Sequence, residues 1–293
     1  MDAAELQLFE SGIWRATETG GGEALDAALT ELGWRDALRA DRRTAVSLLF
    51  ERQGTSNVTS SALDAVLDSE LGDTSRSVEA GDVRVAVVLP PLRRWEPPGR
   101  LQDGRGTVLG LGTEGMARHD TALVVAAKNG ACTAIAVKTS ALELRPVHGL
   151  DPALGLVEVA GGFDLTSAEE RGRVDWGAAV ALGQLALGHE LVGSARAMLE
   201  LARQHALERI QFGRPIGSFQ AVRHRLAEGL VAIEAADALL AAAWDEPSTE
   251  TAAMAKGLAG SSARRVAAHA QQVLAGIGFT TEHPLHRYVF HFM

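Results

Sequence analysis

The chain is sparing with several residue types. It has one cysteine, Cys132, in 293 residues, which excludes a disulfide framework and a cysteine-based zinc site. It has three lysines, Lys128, Lys138 and Lys256, so arginine supplies 25 of its 28 cations. A genome-wide codon bias accounts for that balance, but not for where the arginines lie. No apolar run reaches the roughly 18 residues that a membrane span needs. The opening stretch, MDAAELQLFE, is acidic and lacks an apolar signal core, which predicts a cytoplasmic protein. The net charge of −9 argues against a nucleic-acid surface over the whole chain. With 46% hydrophobic and 22% charged residues, the composition is that of an ordinary globular protein. The length predicts about two domains on a prior of roughly 100–200 residues each, enough to bury a core without staples.

The hydrophobic period changes twice along the chain. Residues 1–78 read as helical. Leu6, Phe9, Ile13 and Trp14 recur at helical spacing. GGGE at 20–23 is a break, ALDAALTELGW and RTAVSLLFERQG read as amphipathic segments, and SSALDAVLDSELG is capped at Ser60 or Ser61 and ends at Gly72. Residues 79–165 hold short runs rich in Val, Ile, Leu and Thr: VRVAVVLPP, GTVLGLG, TALVVAA, CTAIAVK and ALELRPV. KNGA at 128–131 is a hairpin turn. No long helical pattern separates these runs, which predicts antiparallel strands in a small barrel or sandwich. Residues 166–293 return to helix: one beginning at about Ala168 or Val174 and running to about Leu207, one over Ser218–Ala243 with Ser218 as its cap, one over Thr249–Leu274, and a short fourth near Glu282. The predicted fold class is α+β, with an N-terminal helical domain, a middle antiparallel β domain and a C-terminal four-helix bundle.

Most motifs of chemistry are missing. There is no G-x-S-x-G, no H-E-x-x-H and no Walker loop. No glutamate is followed by histidine three residues on, which counts against a di-iron bundle. GLGTEG at 110–115 matches G-x-G-x-x-G, but a strand pattern follows it where a nucleotide fold needs a helix. It reads as a strand turn. His189, His205, His224 and His269 lie singly on the long helices, and His283, His286 and His291 fit a solvated face. No metal site is predicted.

The arginines are the informative feature. Between positions 196 and 225 there are six (196, 203, 209, 214, 223, 225) against Glu200 and Glu208, a net +4 in a chain whose remainder is −13. A solvated face explains such a window. So does an anion site, because guanidinium forks match phosphate. Gly213 and Pro215 break the helix between Arg209 and Gln220. The start of the next helix offers free N–H groups and a positive dipole end.

At these residues the sequence resembles the acyl-CoA dehydrogenase family. The family's R-x-x-F-G-x-P-I-x-x-F-Q-x-V stands as Arg209, Phe212, Gly213, Pro215, Ile216, Phe219, Gln220 and Val222. Its Q-x-x-G-G-x-G-F-T-x-E-x-P-L stands as Gln272, Gly276, Gly278, Phe279, Thr280, Glu282, Pro284 and Leu285, with Ala275 in place of the first glycine of the pair. The resemblance implies FAD held between subunits. Arg209, Gln211 and Phe212 would contact the FAD of a neighbouring subunit, the arginine on its pyrophosphate. Gln220 and the stretch Gln272–Gly276 would help hold the nucleotide.

The departures from the family are as telling. Its reaction removes a proton α to a thioester while a hydride leaves the β carbon for flavin N5, and it needs a glutamate base. In one branch the base stands twenty-six residues before the motif arginine, where this chain has Gly183. In the other it lies in a loop ahead of E-G-T, beyond the last residue given, Met293. The T-E-P…G-S-D stretch that covers the flavin is also missing, with only TEG at 113–115. The resemblance then implies a non-catalytic subunit of an α₂β₂ heterotetramer, as in actinobacterial steroid-degrading acyl-CoA dehydrogenases. A catalytic partner subunit would bind most of the acyl-CoA, and no nucleic acid or membrane would be involved. Two alternatives stand beside it. One is a self-sufficient dehydrogenase with a relocated base, Glu190 or Glu282. The other is a flavin-free structural or regulatory paralogue.

Overall fold

The computed structural model describes residues 3–71, 85–128, 130–149, 151 and 154–292. Gly72, the first residues of VRVAVVLPP, Asn129 of the KNGA turn and the division at 78/79 lie outside the described residues. The architecture is α+β: helices, then a predominantly antiparallel sheet, then three long helices and a short fourth. The described residues group into two units. One comprises Met1–Thr59 and Gln184–Met293, the other Ser60–Gly183.

The second unit is built on an eight-stranded sheet. Its strands are β1 (Ala86–Val87), β2 (Gly99–Gln102), β3 (Arg105–Thr113), β4 (Thr121–Lys128), β5 (Ala131–Lys138), β6 (Glu143–Pro146), β7 (Leu156–Asp164) and β8 (Glu169–Val174). The order is β6-β7-β3-β2-β4-β5-β8, with β1 also on β4. β4 and β5 form the hairpin expected around KNGA, Lys128 facing Ala131. Residues Ala122, Val124 and Ala126 of β4 enter one core, with Ile135, Val137, Val159 and Phe163. The alternate residues Leu123 and Val125 enter the other, with Leu67, Trp176 and Ala179. A strand covered on both faces is apolar at every position, so TALVVAA carries no polar alternation.

The structure departs from the purely antiparallel expectation at two pairings. β1 and β2 both run parallel to β4, at Ala86↔Ala122 and Gly99↔Ala126. They are two pieces of one run lying between β3 and β4, interrupted by a loop containing Pro90, Pro91, Pro97 and Pro98. Proline has no N–H for a ladder and forces such an excursion. The start of the first long helix is also corrected. EERGRV at 169–174 is β8, paired with β5 through a bulge at Ala134/Ile135, and the helix begins at Trp176. GLGTEG is a strand end: Gly110 and Gly112 lie in β3, and a 3₁₀ turn starts at Glu114.

The first unit holds α1 (Ala3–Glu18), α2 (Glu23–Glu31), α3 (Trp34–Ala40) and α4 (Arg42–Ser56). Helix α5 (Ala62–Glu70) belongs to the sheet unit, where Ser60 Oγ accepts from Ala62 N–H at its start. ALDAALTELGW is helical in α2 as far as Glu31, and its last residue, Trp34, already opens α3. Gly33, at φ 73°, ends α2 in the left-handed region that glycine tolerates best. Helix α6 (Trp176–Glu208) is followed by α7 (Gln220–Asp245), α8 (Thr249–Leu274) and α9 (Leu285–Phe292). A capping box at Ser248 and Thr251 starts α8.

Helices α4 and α6 cross with no room for side chains between them. A Cβ on Gly54 would lie 1.9 Å from the Glu190 carbonyl oxygen, and one on Gly193 would lie 2.0 Å from that of Glu51. Ser194 Oγ donates to the Gly54 carbonyl at 3.0 Å, and Tyr288 Oη donates to that of Thr55 at 2.7 Å. Arg196 ties the crossing to α7 by donating to Glu51 and, at 2.8 Å, to Asp237.

Candidate functional site

The candidate surface begins where α6 ends. Arg209 follows Glu208, and its N–H still donates to the His205 carbonyl at 2.9 Å. The chain then folds into a two-residue hairpin of β9 (Ile210–Gln211) and β10 (Arg214–Pro215), with Gln211 facing Arg214. Its turn residues, Phe212 and Gly213, have φ of 51° and 77°. Such a turn matches the strand twist but requires positive φ at both positions. Phe212 is 91% exposed while holding a backbone conformation that costs a non-glycine residue on the order of 1 kcal/mol. Its ring meets Phe219 edge to face at 6.0 Å, and the Arg214 guanidinium lies over Phe219 at 4.3 Å.

A 3₁₀ turn over Ile216–Ser218 leads into α7. The N-cap is Phe219, not Ser218. The Ser218 hydroxyl donates instead to the Pro215 carbonyl at 2.7 Å. Gln220 opens α7 and is exposed. The window of six arginines is therefore not uniform. Arg196 is held by Glu51 and Asp237, and Arg203 pairs with Glu200. Arg209 and Arg214 are exposed, with no ion pair among the described residues.

The second motif lies in the same unit. Gln272 is exposed near the end of α8, and Gly276 is exposed in the 3₁₀ turn Ala275–Phe279. Ala275, standing where the motif has glycine, has φ 52° and ψ −132°, a region that glycine alone enters readily. Phe279 is 72% exposed. The second motif meets the helix end just before the first one: the rings of His205, expected to stand singly on its helix, and His283, expected on a solvated face, pack edge to face at 6.4 Å.

Gly183 is buried on α6. A Cβ there would lie 3.1 Å from Leu67 Cδ2, so the position is closed by leucine packing. Glu190 is half-buried and Glu282 exposed. His189 is a core residue: its Nε2 accepts from Trp244 Nε1–H at 3.0 Å, and burial pushes its value down to about 4. Among the described residues no group of three His, Cys, Asp or Glu is placed to hold a metal. None of the described helices is long and apolar enough to cross a membrane. Position alone could have flagged His205, four residues before the motif arginine. Nothing in the sequence paired it with His283.

Three comparisons bear on this arrangement. The profile "Acyl-CoA dehydrogenase, C-terminal domain" matches residues 174–292. Acyl-CoA dehydrogenase IpdE2 of Mycobacterium tuberculosis is 35% identical over 166 residues, which is 57% of this chain and 49% of that protein. The chain thus spans about half the length of this curated relative. The structure of a Tcur3481–Tcur3483 steroid ACAD variant superposes with a TM-score of 0.79 at 20% identity, covering 98% of this chain and 91% of that one. The ChsE4–ChsE5 complex from Mycobacterium tuberculosis gives 0.73 at 21% identity, covering 99% and 92%. The fold is therefore that of the acyl-CoA dehydrogenases. More particularly, residues 174–292, which carry both motifs, match the model of that family's C-terminal domain.

Proposed function

We propose that this chain is the non-catalytic subunit of a heteromeric, FAD-dependent acyl-CoA dehydrogenase, and that it completes the FAD site of a catalytic partner subunit. The observation that carries the reading is a contrast within α6. The position of one family base is Gly183, closed by Leu67, while the motif at the helix end keeps Arg209, Gln211 and Phe212 exposed. Two of the structural neighbours are named as pairs, and one of them as a steroid ACAD. The paired names support a heteromeric assembly and the steroid name a steroid-derived thioester as the acyl group; we take the assembly as α₂β₂ and place it in the cytoplasm. We keep the division into 1–78, 79–165 and 166–293 as part of the same proposal.

The exposed side chains suit a dinucleotide. Arg209 offers a planar fork to a diphosphate. Gln211, Gln220 and Gln272 carry amides that both donate and accept. At the start of α7 the Val222 and Arg223 N–H groups donate to the Phe219 carbonyl, while those of Gln220 and Ala221 precede the first intrahelical bonds. Gly276 leaves its backbone open, with nothing within 4 Å of a built Cβ. Phe212 presents an apolar face. FAD, when bound, supplies the hydride acceptor. This chain binds and orients it, and the partner supplies the base and most of the acyl-CoA pocket.

The test is the 450 nm absorbance of the protein purified alone and then co-expressed with the acyl-CoA dehydrogenase encoded beside it. Flavin only in the co-purified complex, at one FAD per two chains, is the expected result. Arg209→Ala in that complex removes the flavin, and full flavin content in the variant would overturn the assignment of Arg209. Flavin and acyl-CoA oxidation by the lone chain would point to a relocated base, Glu190 or Glu282. A colourless protein in both preparations would leave a flavin-free paralogue.

A further inference from the structure

His205 stands one turn before Arg209, and the Arg209 N–H to His205 carbonyl bond keeps both in helical register, so they share a face. His283 comes from the second motif and meets His205 edge to face at 6.4 Å. Its Nδ1 accepts from the Leu285 N–H at 3.2 Å, which leaves Nε2 as its only other polar atom. His286 follows, with Nδ1 at 2.7 Å from the His283 carbonyl. Three imidazoles and a guanidinium are thus gathered from the two motifs and the residues flanking them. Among the described residues none of the four is ion-paired with a carboxylate. The charged and titratable groups that act on His205 are Arg209 and Glu208 on its own chain segment and His283 across from it, and those on His283 are His205 and His286. Burial first, then Arg209, holds His205 below its usual value against Glu208. Burial first, then His205 and His286, does the same for His283. Crowded basic groups without a counter-ion take up protons when an anion arrives.

We propose that His205, Arg209 and His283 form one diphosphate-binding cluster in which an imidazole gains a proton as the anion binds, so that retention of the dinucleotide is proton-linked and weakens as pH rises. This rests on the reading of Arg209 as a diphosphate contact and adds His205 to it. The proton comes from solvent, and no bond in the ligand is made or broken. FAD is a suitable probe because its pyrophosphate diester keeps a fixed charge across the neutral range.

The experiment is an NMR titration between pH 5 and pH 8 of the histidine Cε1–H resonances of this chain, selectively labelled, in the co-purified complex before and after removal of its FAD. His205→Gln identifies the His205 signal. We expect the His205 midpoint to move upward by about one pH unit with FAD, and the movement to vanish in Arg209→Ala. A His205 midpoint indifferent to FAD overturns the proposal, whether or not the flavin binds elsewhere. The Arg209 reading is judged separately, on the flavin content of the co-purified complex. If Arg209→Ala strips that complex while His205→Gln retains flavin equally at pH 6 and pH 8, the arginine contact stands and the histidine contribution falls.

Discussion

The middle of α6 and the surface just past its C-terminus solve opposite problems. Over Gly188–Arg196 the identity of nearly every residue follows from packing. Gly188 faces Leu240 and Gly193 faces the Glu51 carbonyl. Ser194 satisfies a buried carbonyl, and Arg196 joins two carboxylates. Over Arg209–Phe219 folding explains much less. A phenylalanine is held at positive φ with 91% of its surface in water, and two arginines stand without ion pairs among the described residues. Interior packing stabilises the first region. The second spends stability, which natural sequences do at sites that meet something else.

The largest effects are expected in the middle. Gly193→Ala places a methyl against the Glu51 carbonyl, where a Cβ has 2.0 Å, so α4 and α6 must separate. We expect a loss of about 3 kcal/mol in urea unfolding, the upper part of the range for overpacking. A loss below about 0.5 kcal/mol would show that the crossing yields easily. His189 sharpens the same region through pH. Its folded value of about 4 lies below the unfolded 6.5. Between those values the unfolded chain binds the extra proton, so stability falls as pH falls through this window and levels off below it. The difference corresponds to about 3 kcal/mol. Burial is the main cause, with Asp237 opposing it and Arg196 and Arg43 adding to it. His189→Gln keeps an acceptor for Trp244, and we expect it to lose that part of the acid dependence. Equal slopes for variant and wild type between pH 7 and pH 4.5 would contradict it.

The contrast also explains what the sequence disclosed. The long helices were legible because α7 and α8 carry unbroken helical periodicity and end two residues before Pro247 and Gly276. β4 was legible because burial on both faces makes it apolar throughout. EERGRV was not legible as a strand, because it lies at the edge of the sheet beside β5 and its partly exposed charges erase the alternation. The split at Gly33 and the displaced cap at Ser218 turn on backbone conformation that composition does not reveal. In the candidate site, Arg209, Gln211, Phe212, Gln220, Gln272 and Gly276 follow from the resemblance to the acyl-CoA dehydrogenase motifs. The meeting of His205 with His283 joins residues nearly eighty positions apart, and only the folded helices bring them together.

The smallest stability effects belong to the exposed end, and their sign is reversed. Ala275 holds φ 52° and ψ −132°, so Ala275→Gly should raise stability by about 1 kcal/mol as the strain is relieved. A decrease would show that the entropy glycine adds to the unfolded chain outweighs that relief.

Phe212→Gly tests the contrast most directly. The turn needs positive φ at 212, and the phenylalanine ring recovers little of that cost while exposed to water, beyond its contact with Phe219. On folding grounds alone glycine is the better residue, and we expect a gain of up to about 0.5 kcal/mol in thermal or urea unfolding. If the ring is kept for a bound dinucleotide, the same variant should lose flavin from the co-purified complex while becoming the more stable chain. A variant that loses stability and keeps its flavin would instead make Phe212 a packing residue, and the hairpin would then belong with the middle of α6.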